Sequence, residues 1–222
     1  MRRGAGRAAC TLMTAAAVFA PLVLGQAGPA TAKAVAQRVD RHYNSLHSLK
    51  ANFTEQFRGL GLNRAQSGTL LLLKPGRMKW EYNSPPGKVF LLDGKYALSY
   101  TPGDSHVQRI PAKDLSDLRS PLRYLLGHAE LAKELTGLTL KPAPDGSFAL
   151  TGVPRDMGDR VARLALTVTA DGTITGIEIT ETDGAVTSFT FSDEQVNAPI
   201  FARTFQFTPP AGVPVVDSLP PV

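Results

Sequence analysis

Arg77-Met78-Lys79-Trp80-Glu81-Tyr82 is the stretch on which the fold turns, because three apolar or aromatic side chains alternate there with three charged ones. Successive side chains of a strand point to opposite faces, so this period of two describes a strand with one apolar face and one wet face. The same period continues outward. Upstream, Phe53 and Phe57 share a face, and Leu70 to Leu73 is the most conspicuous apolar run beyond the N-terminal segment. Downstream, four Asp-Gly pairs (Asp93-Gly94, Asp145-Gly146, Asp171-Gly172 and Asp183-Gly184) lie between alternating runs. A two-residue hairpin turn needs positive φ, which this dipeptide supplies. The pattern predicts strands over 51–58, 66–74, 77–83, 88–93, 95–101, 105–110, 137–142, 147–152, 162–170, 173–182, 185–193 and 202–208, a long antiparallel meander.

Two segments depart from that period. Val35, Val39, Tyr43, Leu46 and Leu49 recur every three or four residues with Arg38, Asp40, Arg41 and Lys50 between them, which predicts one amphipathic helix over 34–49. In the middle of the chain, Ser120-Pro121 reads as an N-cap and first helical residue before Leu122, Leu125 and Leu126; Gly127 ends that helix and a second is expected over 128–135. The expected architecture is one α+β domain with an N-terminal helix, a strongly curved sheet and a short helical insertion. A sheet of this many strands curls, and if it does not close it leaves a trough that helices can cover.

Arg2, Arg3 and Arg7 precede an uncharged stretch from Ala8 to Leu24, and the small-residue sequence Ala30-Thr31-Ala32 follows. This is the pattern of a cleavable secretory signal peptide, residues 1–32, with cleavage after Ala32 or, as second choice, after Ala27. The mature chain then consists of a single domain, 33–213, and a C-terminal tail, 214–222. Removing the first 32 residues leaves 21 basic against 19 acidic residues and no cysteine. That balance speaks against nucleic acid as a partner, and the missing thiols exclude disulfides, thiolate metal sites and a cysteine nucleophile.

No catalytic constellation stands out. His42, His47, His106 and His128 lack metal-ligand spacing, so no metal site is expected, and Gly87-Lys88 and Gly94-Lys95 lack the spacing of a phosphate loop, so no ATP site or other cofactor is expected. Glu178 and Glu181 fall on opposite faces of one strand and read as solvated sheet charges. No catalytic residue is assigned. What remains is an aromatic and aliphatic concentration in the N-terminal half of the sheet, which serves equally as a helix-on-sheet core or as the lining of a lipid trough.

The order of specific residues is more informative. Phe53-Thr54-Glu55-Gln56-Phe57, Gly68, Lys74-Pro75-Gly76-Arg77-Met78-Lys79-Trp80-Glu81-Tyr82, Pro85-Pro86, Leu92-Asp93-Gly94-Lys95, Tyr100, Ser120-Pro121-Leu122, Asp171-Gly172-Thr173-Ile174 and Phe205-Gln206-Phe207-Thr208-Pro209-Pro210-Ala211-Gly212-Val213 together resemble the outer-membrane lipoprotein carrier family, LolA. The resemblance implies an incomplete, half-open antiparallel β-barrel with a helical lid over a hydrophobic cavity. It also implies a monomeric, non-enzymatic periplasmic carrier whose cargo is acylated lipoproteins. Such a carrier is loaded by an inner-membrane ABC transporter (LolCDE-like) and unloaded onto an outer-membrane receptor (LolB-like). The lipid-binding cavity would comprise Phe53, Leu70, Leu72, Met78, Trp80, Phe90, Leu122, Leu125 and Leu126. Lys74 stands where the family carries an arginine that bonds lid-helix carbonyls and holds the empty cavity shut, and lysine lacks the planar fork of that arginine. Met78 stands where phenylalanine is common. Carriers or sensors of another lipid or glycolipid share the fold and form the alternative reading; a secreted hydrolase is the rival of another class.

Overall fold

The computed structural model describes residues 30–112, 125 and 130–217. The signal-peptide expectation for the N-terminal segment and the lid helix expected around Leu122 and Leu126 lie outside these residues, Leu125 excepted. Helix α1 spans Ala32–Ser45. Strands follow as β1 (Ser48–Gly59), β2 (Leu62–Leu73), β3 (Arg77–Ser84), β4 (Pro86–Asp93), β5 (Tyr96–Tyr100) and β6 (Val107–Pro111). After the short helix α2 (Leu131–Glu134) come β7 (Leu135–Pro142), β8 (Phe148–Pro154), β9 (Val161–Val168), β10 (Ile174–Glu181), β11 (Val186–Val196) and β12 (Val215–Asp217).

These strands form one sheet in the order β12, β6, β5, β4, β3, β2, β1, β11, β10, β9, β8, β7. Every neighbouring pair is antiparallel except β12 and β6, and β7 and β12 are left as unjoined edges. The sheet is therefore open. It is also curled, because residues from β3 (Met78, Trp80) and from β8 and β9 (Leu150, Leu164, Leu166) share one buried cluster with α1 (Val35, Val39, Tyr43). A flat sheet would hold β3 and β8 six strands apart, about 28 Å at the usual interstrand spacing.

The chain's most conspicuous apolar run is explained by a second cluster on the other face. Leu70 and Leu72 point into the concave core, while Leu71 joins Val89, Leu91, Tyr100, Val107 and Phe205 on the convex side, with Leu73 packed against them. The expected strand at 202–208 is corrected here: Ala202–Phe205 is a 3₁₀ turn, and the segment crosses the convex face instead of joining the ladder. Phe205 and Phe207 alternate as a strand would, but they alternate in order to plug that second cluster, and Pro209-Pro210 deny any ladder the N–H groups it needs.

Helix α1 also ends earlier than its apolar spacing predicts, at Ser45 rather than 49. Leu46 and Leu49 are buried as expected, yet they reach the core from a turn and from β1. Backbone bonding decides the boundary: the His47 N–H donates to Asn197 Oδ1 at 2.8 Å, and the Asn197 N–H donates back to the Ser48 carbonyl at 2.8 Å. The second helix of the insertion, expected over 128–135, is described only as the single turn α2.

Candidate lipid-binding face

The concave face of β1 to β4 is lined at two-residue spacing. Phe53 (β1), Leu70 and Leu72 (β2), and Met78 and Trp80 (β3) are each at most 4% exposed, and Phe90 (β4) packs against them half-buried. Register places them in direct contact: Leu70 is opposite Trp80, Leu72 opposite Met78, and Trp80 opposite Phe90. Rings meet across the trough as well. Trp80 lies edge-on to Phe53 at 4.6 Å and tilted to Phe189 of β11 at 5.4 Å, geometries that aromatic quadrupoles favour. Leu125, from the insertion, is 2% exposed and closes over this cluster. Of the nine residues expected to line the cavity, seven are therefore brought to one face, while Leu122 and Leu126 lie outside the described residues.

This lining needs close backbone approach at one point. Gly68 sits at a bulge between β2 and β3, opposite both Phe53 and Tyr82. A Cβ there would lie 1.9 Å from the Glu81 carbonyl oxygen, so only glycine lets β3 come near enough for Trp80 and Tyr82 to reach Phe53.

Helix α1 covers the opposite half of the trough and is pinned by polar groups. Tyr43, fully buried, accepts the Ile174 N–H at 2.9 Å and donates to Glu194 Oε2 at 3.1 Å, and His42 Nε2 meets the other oxygen of Glu194 at 2.8 Å. Burial first, and then the Glu194 carboxylate, hold the Tyr43 phenol far above its usual range, so it stays a donor. Arg38 donates to the Ala170 carbonyl at 2.7 Å from the same helix. The sequence reading recognised Tyr43 as apolar periodicity and missed its polar role and Glu194, since partners 151 residues apart leave no local signal.

Lys74, in the turn after β2, donates from Nζ to the Tyr43 carbonyl, and burial lowers its pKa. It satisfies one of the carbonyls that the last turn of α1 leaves unpaired. The contact joins the β2–β3 turn to α1, and the same lysine lines a small enclosed cavity with Leu46, Leu49, Leu72 and Leu125. That cavity measures about 10 Å³, roughly room for one water, so the trough is packed shut at this point. A larger hollow of about 460 Å³ lies on the convex side between Arg77, Lys95, Leu98, Arg203, Phe205 and Phe207. Three cations on its wall and its openness to solvent make it a poor seat for hydrocarbon.

Two of the other residues weighed for chemistry serve the sheet and the helix. Glu178 is bonded to Arg163 across β9 and β10, and His42 is held by Glu194. Among the described residues, no three His, Cys, Asp or Glu side chains gather as metal ligands would, and no helix is long and apolar enough to cross a membrane.

Comparison with known proteins agrees with this geometry. A family model described as outer membrane lipoprotein carrier protein LolA matches residues 44–208. Proteins named outer-membrane lipoprotein carrier protein from Pectobacterium carotovorum and Proteus mirabilis are similar at 28% identity (88% of this chain, 94% of the other) and 29% identity (82% and 87%). Among solved structures, an uncharacterised conserved protein from Thermus thermophilus shares the fold with a TM-score of 0.54, at 14% identity over 84% of this chain and 99% of that one.

Proposed function

The chain belongs to the outer-membrane lipoprotein carrier family, and from that premise we propose that it is a periplasmic carrier that shields the acyl chains of lipoproteins and does no catalysis of its own. One observation carries the reading: a continuous apolar row from Phe53 to Phe90 on a concave sheet face, closed over by Leu125 and continuous with the core under α1 rather than covered by a second sheet. A cover made of a helix and a residue of the insertion can be lifted without breaking the ladder; a second sheet could not.

The cargo makes such a cover necessary. Three acyl chains of roughly 15 methylenes would cost on the order of 36 kcal/mol if left in water, at about 0.8 kcal/mol per methylene. The motifs of the chain include no nucleotide loop, so extraction from the inner membrane falls to an ATP-driven transporter of the LolCDE kind, and release to a tighter-binding outer-membrane receptor of the LolB kind. Loose, adaptable binding suits a carrier that must surrender its load, and the flexible Met78 fits that use. The signal peptide fits export, residues 33–213 act as the carrier domain, and the protein works as a monomer. Cleavage after Ala27 would leave the Thr31 side chain, which accepts the Ala34 N–H at 3.2 Å, as the cap of α1; cleavage after Ala32 would remove it.

Lys74 is the lock in this reading. Its bond to the Tyr43 carbonyl ties the rim of the trough to the covering helix while the cavity is empty.

The test adds the purified protein to spheroplasts and follows newly made lipoproteins in the supernatant. ATP-dependent release in complex with the protein is expected. Met78→Glu should abolish it by setting an unpaired charge against acyl chains, and Lys74→Leu should free the cover and trap cargo that the receptor no longer recovers. Thermal melting shows that each variant is folded. Absence of release with a cognate transporter present, or normal transfer by both folded variants, would overturn the assignment.

A further inference from the structure

The concave face does not stay apolar to its end. Two residues beyond Phe53, Trp80 and Phe90 on the same strand faces stand Glu55, Tyr82 and Lys88, with Gln66 opposite Glu55 on β2. Pairs of contacts join them. The Tyr82 hydroxyl donates to Glu55 Oε2 at 2.9 Å, Lys88 Nζ donates to Gln66 Oε1 at 2.6 Å, and the same ammonium sits 4.1 Å from the centroid of the Tyr82 ring. Arg64, exposed, lies over the Phe57 ring at 5.0 Å on the neighbouring position of the band. The other members are half-buried. Burial pulls the Lys88 ammonium down, the Glu55 carboxylate acts against that pull, and Arg64 adds to it.

A lone alternating strand would place apolar residues here, and partial desolvation makes charge costly on such a surface. The band nevertheless lies directly against the apolar lining, at the end of the trough away from Lys74. An acylated ligand has the same two-part chemistry: hydrocarbon chains that converge on ester and amide carbonyls. Lys88 has three N–H donors, of which Gln66 takes one, and Arg64 adds a fork of its own. On β1 to β4 the band sets one carboxylate, already occupied by Tyr82, against two cations. Such a surface donates to neutral or anionic acceptors and repels a free ammonium.

We propose that Glu55, Gln66, Tyr82 and Lys88, with Arg64, form the seat for the polar linkage of the acylated ligand, and that this seat prefers an N-acylated linkage to one that carries a free α-ammonium. Lys88 supplies the donor; Glu55 and Gln66 are positioning residues that hold Tyr82 and Lys88 in place. The inference rests on the carrier reading above and concerns the other end of the same trough.

The test uses two synthetic ligands that differ at one group: a dipalmitoylglyceryl-cysteinyl peptide with its α-amine free, and the same peptide N-acetylated. Affinities are measured by displacement of a hydrophobic dye, and the readout is their ratio, which a general loss of fold does not change. The protein should prefer the acetylated peptide by about fivefold, the weight of one net hydrogen bond. Lys88→Arg should keep the preference, Lys88→Met should bring the ratio to about one, and Lys88→Glu should invert it. A ratio that is the same in the protein and in Lys88→Glu overturns the seat while leaving the carrier reading intact. Failure of both peptides to bind the unaltered protein overturns the carrier reading and the seat with it.

Discussion

At the scale of the residue, Gly68 is the position where a missing side chain does the most. The Glu81 carbonyl oxygen occupies the space of its Cβ, so Gly68→Ala must push β3 off β2 at the bulge. The displacement would separate Phe53 from Trp80 and Tyr82, whose ring centroids lie 4.6 and 5.1 Å away. Overpacking of this kind costs on the order of 3 kcal/mol, and the urea midpoint should fall accordingly. An unchanged midpoint would show that the bulge opens without disturbing the aromatic cluster. Glycine was visible in the sequence as part of a motif, but the reason for it was not, because the atom it avoids belongs to a residue paired only after the hairpin forms.

At the scale of the element, α1 and the insertion meet through Asp40, which accepts the Leu131 N–H at 3.1 Å. Burial, followed by the neighbouring Glu134 and Glu130, raises its pKa from 3.8 to about 6, against the lowering effect of that hydrogen bond and of Arg41. Between those two values the folded chain holds more protons than the unfolded one, so stability falls as pH rises through the window from about 4 to about 6. Above it the folded state carries the full cost of the charged group. Asp40→Asn keeps an oxygen acceptor for Leu131 and removes the charge. Its melting temperature should exceed that of the unaltered protein at pH 7 and converge with it below about pH 4, as differential scanning calorimetry can follow. A constant difference at all pH values would mean that the carboxylate is not what titrates. Asp40 reads in sequence as one more polar residue on the outer side of a helix; only the arrival of α2 makes it half-buried.

At the scale of the whole molecule, the described form is shut: Phe53, Met78, Trp80 and Leu125 are at most 4% exposed, and the cavity at Lys74 is about 10 Å³. Loading therefore has to move the cover, and the chain carries its own reporter, since Trp80 is the sole tryptophan. A lipopeptide with brominated acyl chains should quench most of the Trp80 emission, while the unbrominated peptide should not. Emission untouched by a bound brominated ligand would place the chains away from the Phe53–Trp80 face.

The three- and four-residue spacing over 34–49, the period-two runs and the Asp-Gly turns determined by themselves that the chain is a helix followed by an antiparallel meander, since side-chain periodicity and turn chemistry are local properties. They also set which apolar residues of β1 to β4 share a face, because parity carries each row to one side; the reading of that face as a lipid trough came from the family resemblance and not from the period. Tertiary structure decided the rest. It sent residues 202–208 across the convex face, because Phe205 and Phe207 fill a second core that strand periodicity cannot distinguish from the first. It also set β12 beside β6, pinned α1 through Tyr43 and Glu194, and joined Glu55 to Tyr82. Each of these depends on groups far apart in the chain, and their pairing exists only once the sheet has curled.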